Sequence, residues 1–139
     1  MIDGDISLKS LLLVSESIEQ LIGKNGAKVV QRQAGQRAAS RLIDMLPLVL
    51  PEPDAIQQSG EIMVELGFIQ GLEIVEAGVI RINGNNYMHE IQELGLGCSL
   101  SGTYYLVGLF EGFFNQLSGL KKKVISIETT PEGEIWKLN

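Results

Sequence analysis

Few side chains in this 139-residue chain could do chemistry, and three places concentrate them. Cys98, the single cysteine, stands in Gly97-Cys98-Ser99-Leu100-Ser101-Gly102, just ahead of a predicted helix. Free amide donors at a helix start lower a thiol's pKa, which is how such a cysteine becomes a nucleophile. The one histidine, His89, lies nine residues upstream, but no acid is placed to orient it as a base. The spacing also fits neither G-x-S-x-G nor a phosphate loop. A small buried hydrophobe is the better reading of Cys98. His89-Glu90-x-x-Glu93 offers an imidazole and two carboxylates but lacks the second histidine of a zincin helix, so solvated polar residues are the simpler reading. Glu111 is the one charge in an apolar helix. Buried there, it needs a partner or a raised pKa. Tyr104, Tyr105 or an arginine from a basic helix could supply the partner, and structural pairing is preferred to a ligand-orienting role.

The elements that must position these groups can be read from periodicity. Asp5 can cap a helix over residues 7–22, with Leu8, Leu11, Leu12, Ser15, Ile18 and Ile22 on its inner side and Gly23 stopping it. Lys24-Asn25-Gly26 contains a turn dipeptide. A second helix over 27–46 carries the stripe Val30, Ala34, Ala38, Leu42 and Leu46, and Pro47, Pro51 and Pro53 end it. A shorter helix over 55–66 is followed by a strand over 67–76 and another over 79–82, with Asn83-Gly84-Asn85-Asn86 as a turn. Residues 88–94 form a loop or short helix. A helix over 102–117, a strand over 121–128, a turn over 129–133 and a strand over 134–138 complete the chain. Helices first and two hairpins later give an α+β fold: an antiparallel β-sheet packed with several α-helices in a single domain, residues 1–139.

Leu100, just ahead of the 102–117 helix, and Tyr104, Tyr105, Leu106, Val107, Leu109, Phe110, Phe113, Phe114 and Leu117 within it cover nearly every side. Such a helix must be buried on more than one face. Gly108 and Gly112 share a side, so another backbone or a flat ligand could come close. Tight helix packing is preferred, and a homodimer would also cover the excess apolar surface.

Composition removes other classes. A net charge of −6 and a pI near 4.8 argue against nucleic-acid binding. One cysteine and one histidine exclude a thiolate or poly-histidine metal site within one chain. The run 11–14 is far short of a membrane span, and the acidic start is not a signal peptide, so a cytoplasmic protein is expected. Residues 20–43 hold five basic and no acidic residues, while 44–120 hold ten acids against Arg81 alone. A solvated helix face explains the basic run most simply, with an anionic partner or the acidic face of another subunit as the functional alternative.

Three pieces share one order: Ala34-Gly35-Gln36-Arg37-Ala38, Gly67-Phe68-Ile69-Gln70-Gly71-Leu72-Glu73, and Cys98 ahead of Gly108-Leu109-Phe110-Glu111-Gly112-Phe113-Phe114. With the charged strand and hairpin of 121–138, they resemble the 4-vinyl reductase domain, a hydrocarbon-binding family, over about residues 8–138. The resemblance implies a small, usually dimeric α+β ligand-binding fold related to nitric-oxide-sensing and Golgi transport-particle (TRAPP-like) domains. Many members carry C-x-x-x-G-x-x-x-C around the final hairpin, resembling a metal site. Here Gly133 is kept and no cysteine flanks it, so zinc is not expected and any other cofactor is unknown. The resulting expectation is a noncatalytic sensor or carrier of a small hydrophobic ligand, aromatic, acyl or tetrapyrrole-like, in a homodimer. Phe68, Tyr104, Phe110, Phe113 and Phe114 would wall the pocket, Tyr105 and Glu111 would anchor polar groups, and Cys98 would sit at its mouth. The alternatives are a structural or adaptor dimer of the trafficking-particle type, with the aromatic helix filled by side chains, and a component of a tetrapyrrole 4-vinyl reductase.

Overall fold

The computed structural model describes residues 4–42, 49–95, 103–131 and 133–139, and Cys98 lies outside them. Helix α1 (Gly4–Leu42) is two helical segments joined at Gly23, whose φ of 81° and ψ of 169° break the helical path. The expected turn at Lys24-Asn25-Gly26 is therefore corrected. The chain bends at the glycine alone, which takes the left-handed region without a Cβ penalty, and re-enters the helix at once. Helix α2 (Glu52–Glu65) begins with proline in its first turn, where the missing N–H costs nothing. It is followed by strands β1 (Ile69–Glu76) and β2 (Val79–Asn85), helices α3 (Asn86–Glu93) and α4 (Thr103–Ser118), and strands β3 (Val124–Thr130) and β4 (Gly133–Leu138).

Asn83-Gly84-Asn85 is not a turn. Asn83 pairs with Gly71 and Asn85 with Ile69, so β2 runs on to the start of α3. The tight turn is at Ala77-Gly78, with Gly78 at φ 75°. The two hairpins join through β2 and β4, giving a four-stranded antiparallel sheet in the order β1-β2-β4-β3. Ile80, Ile82, Val124 and Trp136 turn into the core with Phe110, Phe113 and Phe114 of α4, and Ala55, Ile56 and Met63 of α2 close it.

Helix α4 lies between the sheet and α1, and its seam with α1 also departs from expectation. The buried positions of the second segment of α1 are Ala27, Gln31, Gly35 and Ala39; Val30 and Leu42 are exposed and Ala34 and Ala38 only half-buried. The stripe is displaced by about one residue because α4 presents glycines. A Cβ on Gly108 would lie 1.9 Å from the Arg32 carbonyl oxygen, and one on Gly35 would lie 2.2 Å from that of Tyr105. Backbone meets backbone, which the smallest side chains permit and the bulkiest do not. No helix among the described residues is long and apolar enough to cross a membrane.

Candidate functional site

The α1–α4 crossing brings Arg32 and Gln36 of α1 onto Glu111 of α4. The two α1 residues are four apart and so share a side of their helix. Glu111 is 1% exposed and accepts four hydrogen bonds. Arg32 Nε donates to Oε1 at 2.8 Å and its Nη2 donates to Oε2; Gln36 Nε2 donates to Oε1 at 3.0 Å; the Val124 amide donates to Oε2 at 2.8 Å. Arg32 Nη2 also donates to the Val124 carbonyl at 2.7 Å. The guanidinium is pushed above its ordinary pKa, first by the hydrogen bond to Glu111, while burial acts against the shift. One carboxylate thus clasps α1, α4 and the start of β3, with both oxygens engaged. This is a satisfied structural site, and the arginine partner comes from the basic helix as the sequence allowed.

The aromatic residues lie in the interior. Phe110, Phe113 and Phe114 are buried in the core. Phe110 stands 5.9 Å from Phe114 and 6.0 Å, edge-on, from Trp136. Phe68, just before β1, meets Tyr105 at 5.8 Å, and burial raises the Tyr105 phenol above its usual pKa. Tyr104 is half-buried and separate, with Lys28 Nζ 5.5 Å above its ring. The structure therefore brings Phe110, Phe113 and Phe114 together, and Phe68 with Tyr105. Tyr104 and Glu111 face α1.

His89 and Glu93 lie on one side of α3, 3.8 Å apart and exposed. Among the described residues, no three His, Cys, Asp or Glu side chains are grouped to hold a metal ion. Gly133 has a local reason: its φ is 145°, and a Cβ there would lie 2.2 Å from the Ile82 carbonyl oxygen.

Three features escaped the sequence reading. Glu134 is buried, accepting from Asn85 Nδ2 at 2.6 Å and Trp136 Nε1 at 3.0 Å. Its signal was the alternation of 134, 135 and 136, which puts Glu134 and Trp136 on one face of the sheet. Gln31 and Thr103 are 3% and 0% exposed, and Gln31 Nε2 and Thr103 Oγ1 have no hydrogen-bond partner among the described residues. Lys28 faces Tyr104 and Arg32 faces Gly108, so Gln31 sits about one helical turn beyond the level of Thr103. Uncharged polar residues in helices carry no pattern that would have marked them. The chain matches no family model, no curated protein and no solved structure.

Proposed function

We propose that this protein is noncatalytic and binds a small, largely apolar ligand where the amino end of α4 meets α1, in a fold of the hydrocarbon-binding kind that the sequence resembles. The observation that carries this reading is the pair Gln31 Nε2 and Thr103 Oγ1, both buried and without a hydrogen-bond partner among the described residues. A buried polar group left unpaired costs roughly 1–3 kcal/mol. A ligand that brings a matching oxygen or hydroxyl recovers that loss while burying its own apolar area at roughly 25 cal/mol per Å². Tyr105 and Phe68 supply apolar surface on the same helix and beside it. The two polar atoms are closed off from water, so the ligand enters with local opening of the surrounding elements. Native mass spectrometry of freshly purified protein, with thermal shifts against phenols, fatty acids and tetrapyrroles, tests the reading. Thr103→Val and Gln31→Leu should leave the free protein as stable or more so and abolish the ligand-induced shift. No co-purifying ligand and no shift from any compound at saturation would overturn it.

A structural or adaptor homodimer is the second reading, and a specific observation favours it. The rings of α4 are enclosed by the chain's own side chains, while Leu13, Val14 and Leu21 of α1 are more than half exposed. It requires a dimer by light scattering at micromolar concentration.

A further inference from the structure

We infer that the cleft between the second segment of α1, the end of α4 and the connector 119–123 binds a small, doubly charged oxyanion of the phosphate class. This cleft lies apart from Gln31 and Thr103, and the inference does not depend on the apolar ligand. Its volume is about 420 Å³, and it is lined by Gln36 of α1, Gly112, Asn115 and Gln116 of α4, and Lys121, Lys122 and Lys123 of the connector.

The charges do not balance within it. Lys122 Nζ is held 2.6 Å from Glu52 Oε1, but among the described residues Lys121 and Lys123 form no ion pair. The neighbouring carboxylate, Glu111, already accepts from Arg32, Gln36 and Val124. Two positive charges are therefore unmatched in a chain whose net charge is −6.

The amides are turned the same way. Asn115 Oδ1 accepts the Lys122 backbone N–H at 3.2 Å, which leaves Nδ2 as the free end of that side chain. Gln116 Oε1 is buried with no hydrogen-bond partner among the described residues, so the nitrogen is that amide's remaining polar end. The cleft thus presents two ammonium groups and two amide donors, with no free carboxylate among its lining residues. Charge-assisted donors lining one cleft suit an acceptor-only group with several oxygens. A tetrahedral dianion uses all four donors and matches both charges, whereas a carboxylate supplies two oxygens and one charge.

The test is an NMR titration with inorganic phosphate at neutral pH, against sodium chloride at matched ionic strength. Saturable shifts of the 121–123 backbone amides and of the Asn115 and Gln116 side-chain amides are expected from phosphate only. The double variant Lys121→Gln/Lys123→Gln, checked for an unchanged circular dichroism spectrum, should weaken binding at least about tenfold. Equal shifts with chloride, or phosphate affinity unchanged in the double variant, would overturn the inference. Two further probes separate the sources of the group: glycerol phosphate in solution, and phosphatidylcholine vesicles containing phosphatidic acid. Binding to the first assigns a soluble phosphomonoester and co-sedimentation with the second a lipid headgroup. Either one surviving in the double variant counts against this cleft.

Discussion

A carboxylate at 1% exposure is tolerated only when its lone pairs are occupied, and Glu111 has four donors on it. Removing one side of such a pair costs more than the pair is worth, because the remaining charge stays behind unpaired. Glu111→Ala should lower stability in urea by about 3 kcal/mol, whereas Arg32→Met/Glu111→Leu together should cost much less. Arg32 is 26% exposed, so water softens the loss on its side. Its raised pKa keeps Arg32's own contribution complete below the ordinary guanidinium range, to be lost only as the pH rises through it. Tyr105 is different. Burial raises its phenol, so the folded state holds that proton more tightly than the unfolded chain does. Stability is complete below the unfolded value near 10 and falls as the pH rises above it. Tyr105→Phe should therefore match the wild-type pH slope below about 10 and flatten it above, as followed by thermal melts across an alkaline series. At this scale the sequence showed that Glu111 needed a partner and that the basic helix could provide one. It could not choose Arg32, because that choice depends on the register between α1 and α4.

Glycines set the register between those helices. Gly108 and Gly112 were legible as sites of close approach, and the approaching group there and at Gly35 is the backbone of the facing helix, or the Ala39 methyl at Gly112. Helical glycine costs roughly 1 kcal/mol against alanine, so Gly→Ala would stabilise an isolated helix. At Gly108 the new methyl would lie 1.9 Å from the Arg32 carbonyl oxygen, and backbone cannot turn aside as a side chain can. Gly108→Ala should cost about 2–3 kcal/mol in urea denaturation, the overpacking penalty outweighing the propensity gain. Gly26→Ala is the contrasting case. Its methyl would meet only the Ile22 side chain, at 3.3 Å from Cδ1, and should be neutral or stabilising by up to about 1 kcal/mol. A loss at Gly26 as large as that at Gly108 would show that packing does not distinguish the two sites. The helices and strands were legible in outline because their periods are strong, although β3 starts at Val124 rather than Lys121 and keeps Thr129 and Thr130, expected in the turn, paired with β4. The α1 seam and the β2 extension were not. The first is selected by small size rather than hydrophobicity, and the second places turn-prone asparagines in a strand that pairs with β1.

For the whole molecule, the two hairpins were expected, and their union through β2 and β4 is what makes one sheet with an enclosed core. No local pattern announces that pairing, which is set by how the sheet covers α4. The core is closed on the α4 side, yet Leu21 is 83% exposed and Leu13 and Val14 stand 53% and 54% exposed, eight and seven residues before it. Spacings of seven and eight place the three on one side of the first segment of α1. A twofold arrangement would pair this side with itself. Running antiparallel, it keeps the two basic second segments at opposite ends; running parallel, it would stack like charges on like. Burying such a stripe in two copies is the direct route to the roughly 1,000 Å² that a specific interface needs. Leu21→Glu should weaken association at least about tenfold, read by light scattering across a dilution series, because it places a charge where apolar area is lost. Ile125→Glu, on an exposed position of β3, is the control and should leave the proposed association unchanged. If both variants weaken it, association runs through another surface, and a wild-type monomer at micromolar concentration removes the dimer altogether.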